Sequence, residues 1–236
     1  MTAQVLPNVV PQRLIGVGLY TVAEAARLTR VPPARIRRWI RGYRYKYAAD
    51  REARYSPPVF PSEIVPIEGA RSLSFLDLQE IRFVDAFRRR GVSWKTLRLA
   101  HERGQALVHN SHPFATGMFW TDGRAILLEL AKGDVALLDI IRGQLAFKRI
   151  IEPYLSQLDF EHDQAIRWWP MGKNRRVVID PKRNFWQPIV SKEGVPTAVL
   201  AKAYRVERSV VKVTRWFKVE EKSVRDAVAF ERRLAA

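Results

Sequence analysis

Hydrophobic positions recur at helical spacing in two short runs near the start of the chain. The first run, YTVAEAARL, begins with Thr21 and has Glu24 three residues later, a spacing typical of an N-terminal capping box. In the second run, RIRRWIRG, apolar residues at i, i+3 and i+4 are expected to face a core, and Gly42 is expected to end the helix. These apolar residues are Ile36, Trp39 and Ile40. Two short helices joined by a proline-containing turn predict a helix-turn-helix.

The second helix also carries four arginines that the same spacing places away from the core or on its flank. They are Arg35, Arg37, Arg38 and Arg41. Such a cluster is either a solvated face or a surface for a polyanion, and the paired helix and basic surroundings favour DNA. We expect this helix to read bases, and we expect phosphate contacts from the residues that follow it, Tyr43, Arg44 and Lys46.

The middle of the chain is less regular. A Tyr/Arg-rich and then proline-rich stretch, 43–72, is expected to form strand and loop. A strongly periodic stretch then predicts a helix, with another beginning near Ser93. Within 105–165, GMFWTDGRAILLEL predicts two strands joined at Asp122-Gly123, and DVALLDIIRGQLAFKRIIEPYLSQL combines a buried run with a helix. We therefore expect an α/β connector there.

The end of the chain predicts a second small module. IRWWPMGKNRRVVIDP predicts a β-hairpin around Met171–Asn174, and three short helices are expected after it. The middle and last of these helices, joined by KVEE, predict a second helix-turn-helix. Its candidates for a further DNA contact are Lys212, Arg215, Lys222 and Arg225.

The predicted fold is mainly α with small β elements. It is divided into an N-terminal tail (1–18), a helix-turn-helix domain (19–104), the connector (105–165) and the C-terminal module (166–236).

Composition narrows the class of protein. The 236 residues are 47% hydrophobic, which is enough for a packed core. No apolar run approaches the ~18 residues of a membrane span, and the first residues lack the basic segment and cleavage site of a signal peptide. Cysteine is absent, which excludes disulfides and thiolate metal sites. These features predict a cytoplasmic protein without a membrane partner.

The charge is strongly positive and unevenly distributed. The chain has 41 basic and 24 acidic residues, a net charge of +17, which favours an acidic partner such as nucleic acid. Residues 19–104 contain 18 basic and 9 acidic side chains (+9), 105–164 contain 5 and 8 (−3), and 165–236 contain 17 and 7 (+10). Two basic blocks therefore flank an acidic, apolar-rich middle, where we expect the self-contact of a dimer.

No motif brings catalytic or metal-binding side chains together. The chain lacks the patterns of a nucleophile elbow, a P-loop and a dinucleotide-binding loop. Its histidines have no spacing that fixes a metal site; they are His101, His109, His112 and His162. The sequence therefore predicts a protein that is not an enzyme and that uses no metal or cofactor.

Two stretches resemble known modules. YTVAEAARL, RIRRWIRGY and the later FLDLQEIRFVDAFRRRGVSW resemble the N-terminal winged helix-turn-helix of MerR-type regulators, although the proline-rich 44–72 replaces the short wing of that family. The stretch 177–231 is similar to the C-terminal antitoxin module of bacterial toxin–antitoxin pairs, on the motifs IDP, QPIV, GVPT and V.DAV.FE. The whole chain resembles VapB-type antitoxins that join a MerR-like head to this module.

This resemblance implies an antitoxin that binds a PIN-domain ribonuclease toxin and represses its own operon, as a homodimer on DNA and a hetero-oligomer with the toxin. Such nucleases hold a metal with carboxylates, so basic side chains of the module are expected to enter the toxin site. The candidates for toxin contact are Arg175, Arg176, Arg225, Arg232, Arg233, Trp168, Trp169 and Trp216. Adjacent residues of a strand point to opposite faces, so one of Trp168 and Trp169 is expected in the core.

Two alternatives remain open at this point. The first is a ligand-responsive MerR-like transcriptional regulator, which would need a roomy pocket and a long dimerisation helix. The second is a nucleoid-associated protein that binds DNA without sequence preference.

Overall fold

The computed structural model describes residues 17–46, 52–62, 64, 72–121, 124–142 and 153–235, which form a mainly helical protein with small antiparallel strand pairs, as predicted. The helices are α1 (Val22–Thr29), α2 (Pro33–Arg41), α3 (Phe75–Arg88), α4 (Trp94–Val108), α5 (Gly117–Thr121), α6 (Arg124–Ala131), α7 (Val135–Arg142), α8 (Thr197–Glu207), α9 (Val210–Phe217) and α10 (Glu221–Ala235). The strands are β1 (Tyr20–Thr21), β2 (Tyr43–Tyr45), β3 (Arg54–Ser56), β4 (Ser72–Leu73), β5 (Leu158–Glu161), β6 (Gln164–Trp168), β7 (Val177–Val178) and β8 (Ile189–Val190). Short 3₁₀ turns cover Pro113–Ala115 and Asn184–Trp186.

The first two helices form as their sequence signals predict. The hydroxyl of Thr21 accepts the backbone N–H of Glu24 at 3.1 Å, and the Glu24 carboxylate accepts the Thr21 N–H at 2.8 Å, so the capping box is confirmed. Proline occupies the first turn of α2, where no intrahelical N–H is needed. The three apolar residues of α2 are buried, and Gly42 follows the helix with φ +69°. A Cβ at Gly42 would collide with the carbonyl oxygen of Ser56, so only glycine fits there.

A β-hairpin follows α2 directly. Strands β2 and β3 pair antiparallel with Arg44 opposite Tyr55, which confirms strand structure in the Tyr/Arg-rich stretch. The Tyr55 hydroxyl donates to the carbonyl of Arg41 at 2.9 Å, and the N–H of Val59 donates to the carbonyl of Trp39 at 2.8 Å. These bonds fix the hairpin against the C-terminal end of α2.

The connector is more helical than predicted. The expected two strands of GMFWTDGRAILLEL are wrong, because α5 and α6 occupy this stretch; Asp122-Gly123 itself lies outside the described residues. The physical reason is that Leu127 and Ala131, four residues apart, are both buried, and α6 packs against α4. The α4 helix also begins after Ser93, as predicted, and continues through the expected boundary at 104–105.

The prediction of a β-hairpin around Met171–Asn174 is wrong, because the strands on its two sides pair with other strands. Strand β6 pairs with β5, which precedes it, and β7 pairs with β8. Among the described residues, the two sides of the predicted turn are joined by a single β-bridge. In this bridge, Trp168 and Ile179 exchange backbone hydrogen bonds of 3.0 and 2.8 Å. Strand β6 pairs with β5 at four positions, which is a longer pairing than the single bridge to Ile179. The three C-terminal helices form as expected.

One core extends from the helix-turn-helix into the C-terminal module. It joins residues of α1–α4 and the connector to Val177, Ile179 and Phe230, while a smaller core lies among α8, α9 and α10. The Tyr20 hydroxyl donates to the carbonyl of Trp186 at 3.0 Å, and the Arg30 guanidinium donates to the carbonyl of Arg233 at 2.8 Å. The helix-turn-helix domain and the C-terminal module are therefore packed together. Among the described residues, no helix is long and apolar enough to cross a membrane.

Candidate nucleic-acid interface

The four α2 arginines are exposed, as their helical positions predict. In the part of the chain that the structure describes, none of their guanidinium groups forms an ion pair with a carboxylate. The Arg38 guanidinium lies 5.4 Å from the centroid of the Tyr43 ring, which joins α2 to β2. Unpaired arginines on a fixed helix can donate to phosphates or base edges without first breaking an internal ion pair.

The predicted phosphate contacts lie beside this helix. Arg44 and Lys46 are exposed, and the rings of Tyr43 and Tyr45 are 5.8 Å apart on the hairpin. The structure therefore places all seven predicted head residues on α2 or on the segment that follows it. It also adds three residues that the sequence interpretation missed, Arg88, Arg89 and Trp94, which lie where α3 ends and α4 begins, next to α2. The sequence signal for them is the run FRRRGVSW.

The basic residues predicted as a further DNA contact in the C-terminal module are less available to DNA than the α2 arginines. The Lys212 ammonium lies 3.4 Å from the Glu207 carboxylate, and Arg225 pairs with Glu221 one turn earlier on α10. The Lys222 ammonium donates to the carbonyl of Asn174 at 3.1 Å. Arg215 is exposed, and it forms no ion pair with a carboxylate among the described residues. Most of this set therefore has internal partners, in contrast to the α2 arginines.

Several predicted toxin-binding arginines have structural partners. The Arg175 guanidinium donates to the buried carboxylate of Asp226 at 2.8 Å, and Arg176 pairs with Glu220 at 2.6 Å. Arg233 donates to the carbonyl of Pro170 at 3.0 Å. These contacts hold α10 against the turn that precedes β7. Arg232 is exposed, and no partner for its side chain is found among the described residues.

The predicted tryptophans have three different environments. Trp168 is 4% exposed and lies beneath the Arg82 guanidinium, 4.2 Å from its ring centroid, so it is a core residue and is removed from the surface candidates. Trp169, which directly follows β6, is half-buried and donates to Asp159 at 2.8 Å. Trp216 is 61% exposed on α9. It is the predicted tryptophan best placed to meet a partner.

Beneath the helix-turn-helix lies a buried cluster of ionisable side chains. The Glu80 carboxylate accepts the Phe114 N–H at 3.0 Å and lies 3.5 Å from the imidazole of His101, and His112 contacts Asp77 at 3.1 Å. Burial raises the pKa of Glu80 to about 8 and lowers the pKa of His101 to about 3. Both groups are therefore neutral near pH 7, because each charge would lie away from water.

A pH dependence of stability follows from Glu80. Its raised pKa stabilises the folded protein fully below the unfolded pKa, and this contribution is lost as the pH rises through about 8. Glu80→Gln, which resembles the protonated acid, should therefore gain about 2–3 kcal/mol relative to wild type between pH 6 and pH 9. The measurement is urea unfolding at both pH values, with Glu102→Gln, an exposed position on α4, as the control. Parallel pH profiles for Glu80→Gln and wild type would contradict the assignment.

The described residues contain no group of three or more histidines and carboxylates that could hold a metal ion. The two imidazole–carboxylate contacts of the buried cluster are pairs within the core.

Comparisons with known proteins agree with this geometry. Residues 18–101 match the family model described as "Putative DNA-binding HTH domain". The chain is 30% identical over 226 residues to the protein named "Putative antitoxin VapB45" of Mycobacterium tuberculosis (strain ATCC 25618 / H37Rv), which covers 90% of this chain and 93% of that protein. It also resembles the X-ray crystal structure of Rv2018 from Mycobacterium tuberculosis, with a TM-score of 0.67 and 27% identity over 91% of this chain and 99% of that one. The chain therefore belongs to the VapB family of antitoxins and carries a DNA-binding helix-turn-helix domain in its N-terminal part.

Proposed function

We propose that this chain represses its own operon by binding DNA through α2 and the β2–β3 hairpin, and that it neutralises a PIN-domain ribonuclease toxin through its C-terminal module. The observation that carries the DNA part is the set of exposed α2 arginines without carboxylate partners in the described residues, within the stretch that matches the helix-turn-helix model. In this proposal, the β2–β3 hairpin serves as the wing of a MerR-like head. A protein with these two roles acts by binding and not by catalysis.

A dimer is part of this proposal, because helix-turn-helix proteins read paired half-sites by symmetry. The connector supplies apolar surface for the self-contact: Leu128 on α6 is 46% exposed, and Val135 at the start of α7 is 74% exposed. These residues lie in the acidic segment between the two basic blocks. The longest described helices have 15 residues, which does not support the alternative of a ligand-responsive regulator with a long dimerisation coiled coil.

The toxin surface is best supported on α8 and α9. Four large apolar side chains there are more than two-fifths exposed, namely Val199, Val206, Val211 and Trp216. Exposed basic residues lie on the same two helices: Lys202 and Arg205 on α8, Arg215 on α9 and Lys218 just after it. Exposed apolar side chains that include a tryptophan are typical of an interface, and exposed cations on the same helices favour an acidic protein partner. This surface, which we call the α8–α9 face, replaces the arginines that are already paired with carboxylates.

The DNA part is tested by titrating the purified chain into a duplex from upstream of its own gene and into a shuffled duplex. We expect at least about a thousandfold preference for the upstream duplex at physiological salt, which is the low end for specific regulators. Equal affinity for the two duplexes would instead favour a nucleoid-associated protein.

A further inference from the structure

A cavity of about 360 Å³ opens beside α2, in the groove between α2, β2 and the α3–α4 turn. Its walls carry guanidinium groups from two helices and aromatic rings from two further elements. We call it the arginine cavity, and the side chains that matter here are Arg35, Arg38, Arg88, Arg89, Tyr43 and Trp94. Four guanidinium groups around one small space produce a strongly positive potential, which attracts an anion.

Arg88 is the side chain whose environment most requires an anion. Its guanidinium lies over the Trp94 ring, 4.2 Å from the centroid, and donates to the carbonyl of Val92. These neutral partners hold the side chain in place, and no carboxylate forms a direct ion pair with it within the described residues, although Asp134 attracts it from a greater distance. Burial is the largest influence and lowers the pKa of Arg88; Arg35 lowers it further, whereas Tyr43 and Asp134 raise it. A half-buried, fixed and unpaired cation is costly unless a partner supplies the opposite charge.

The other arginines near the cavity differ in how strongly they would attract an anion. Arg89 is already paired with Asp85 at 2.5 Å, so it adds less net attraction. Arg35 and Arg38 project from the side of α2 that flanks Trp39, whereas Arg37 and Arg41 lie on the other side of the exposed face, because residues advance by about 100° per position. Only the first pair lines the cavity. The α2 arginines thus divide into two sets with different surroundings.

We propose that the arginine cavity holds one phosphate of the DNA backbone, with Arg88 as its central ligand and Arg35 and Arg38 closing around it. This assignment rests on the proposed DNA binding and extends it to residues of α3 and α4. Guanidinium groups match phosphate oxygens in a two-pronged geometry, and the cavity lies beside the helix expected to enter the groove. A phosphate held there fixes the orientation of α2, which leaves Arg37 and Arg41 to contact bases.

The test compares Arg88→Gln with Arg90→Gln in the full chain. Both variants lose one positive charge at the end of α3, but Arg90 is exposed and does not line the cavity. We measure affinity for the upstream duplex and for a shuffled duplex between 50 and 200 mM salt, which are about the limits over which phosphate contacts are usually resolved. Arg88→Gln is expected to make the slope of log K against log salt shallower by about 0.9 and to weaken both duplexes about tenfold, whereas Arg90→Gln should match wild type.

The outcomes separate the cavity from the wider function. If wild type binds DNA and Arg88→Gln behaves like Arg90→Gln, the cavity proposal is wrong and DNA binding stands. If wild type binds neither duplex, the proposed DNA binding itself fails. If inorganic phosphate raises the unfolding temperature of wild type but not of Arg88→Gln, while the DNA slopes stay equal, the cavity holds a free anion and the backbone assignment is overturned.

Folding of the variant is checked by circular dichroism, because Arg88 also packs on Trp94. If Arg88→Gln does not fold, Arg35→Gln takes its place. Arg35 is exposed, and its side chain has no hydrogen bond among the described residues. The same change in slope is expected, and a wild-type slope for Arg35→Gln would overturn the proposal.

Discussion

Replacing Arg37 and Arg41 together with alanine is expected to weaken binding to the upstream duplex by about 100-fold, since each arginine that reads a base contributes about 1–3 kcal/mol. Both side chains are exposed on α2 and lie outside the arginine cavity. Alanine is a strong helix former, so α2 itself should persist. The loss on a shuffled duplex should be much smaller, because base contacts contribute little there.

Fluorescence anisotropy with both duplexes measures this effect at one salt concentration. Lys132→Ala is the matched control, since it removes an exposed positive charge at the turn between α6 and α7. An equal loss on both duplexes would assign Arg37 and Arg41 to phosphates. No loss on either would show that α2 does not face DNA.

The second large effect is expected on the α8–α9 face. Trp216→Ala combined with Arg215→Ala should weaken toxin binding by about 100-fold, because a central tryptophan and an arginine are the residue types that dominate interfaces. Both residues are exposed, so the stability of the chain should change by less than about 0.5 kcal/mol for each substitution. Because DNA is proposed to bind through α2 and the β2–β3 hairpin, DNA binding should remain at the wild-type level; a loss of DNA affinity would instead assign Arg215 to a second DNA contact. The measurement is the dissociation constant, by calorimetry, for the toxin, which we expect the neighbouring gene to encode.

Phe185→Ala is the matched control for this experiment. Phe185 is 77% exposed and belongs to the 3₁₀ turn Asn184–Trp186, in which three successive residues have φ between 46° and 55°. Such left-handed backbone is strained in residues other than glycine and is found often at functional sites. A loss with Phe185→Ala but not with the Trp216 variant would therefore move the toxin interface from the α8–α9 face to this turn.

Local sequence signals were sufficient to predict the first two helices. The capping box at Thr21, the prolines at the start of α2 and Gly42 after it each act within a few residues. The buried and exposed sides of α2 follow from the same spacing. For this reason, the candidate DNA residues on α2 were identified from the sequence.

The connector shows where a local signal fails. The dipeptide Asp122-Gly123 favours a hairpin turn, but the residues after it bury Leu127 and Ala131 at helical spacing against α4. The sequence contains both patterns. Only the position of α4, which is set by the tertiary fold, favours the helix.

Whether each candidate residue is available to a toxin depends on its contacts with residues that are distant in the sequence. Arg175 is paired with Asp226 across 51 positions, and Trp168 is covered by Arg82 of α3. Neither spacing has a periodic signature that would have revealed it. The charge of the C-terminal block was therefore visible in the sequence, but the division between paired and free arginines was not.

The shared core has a practical consequence. A truncated chain of residues 1–165 would lose Val177, Ile179 and Phe230 from the main core and would cut through β6. Its failure to protect cells would report unfolding as readily as the loss of a toxin contact. Exposed side chains on the α8–α9 face are therefore better probes than a truncation.

Growth of cells that express the neighbouring gene is the direct test of whether this chain neutralises a toxin. Expression of that gene alone is expected to arrest growth, and co-expression of the full chain is expected to restore it, with the two proteins isolated as one complex. Growth arrest that the full chain does not relieve, with no complex recovered, would contradict the claim.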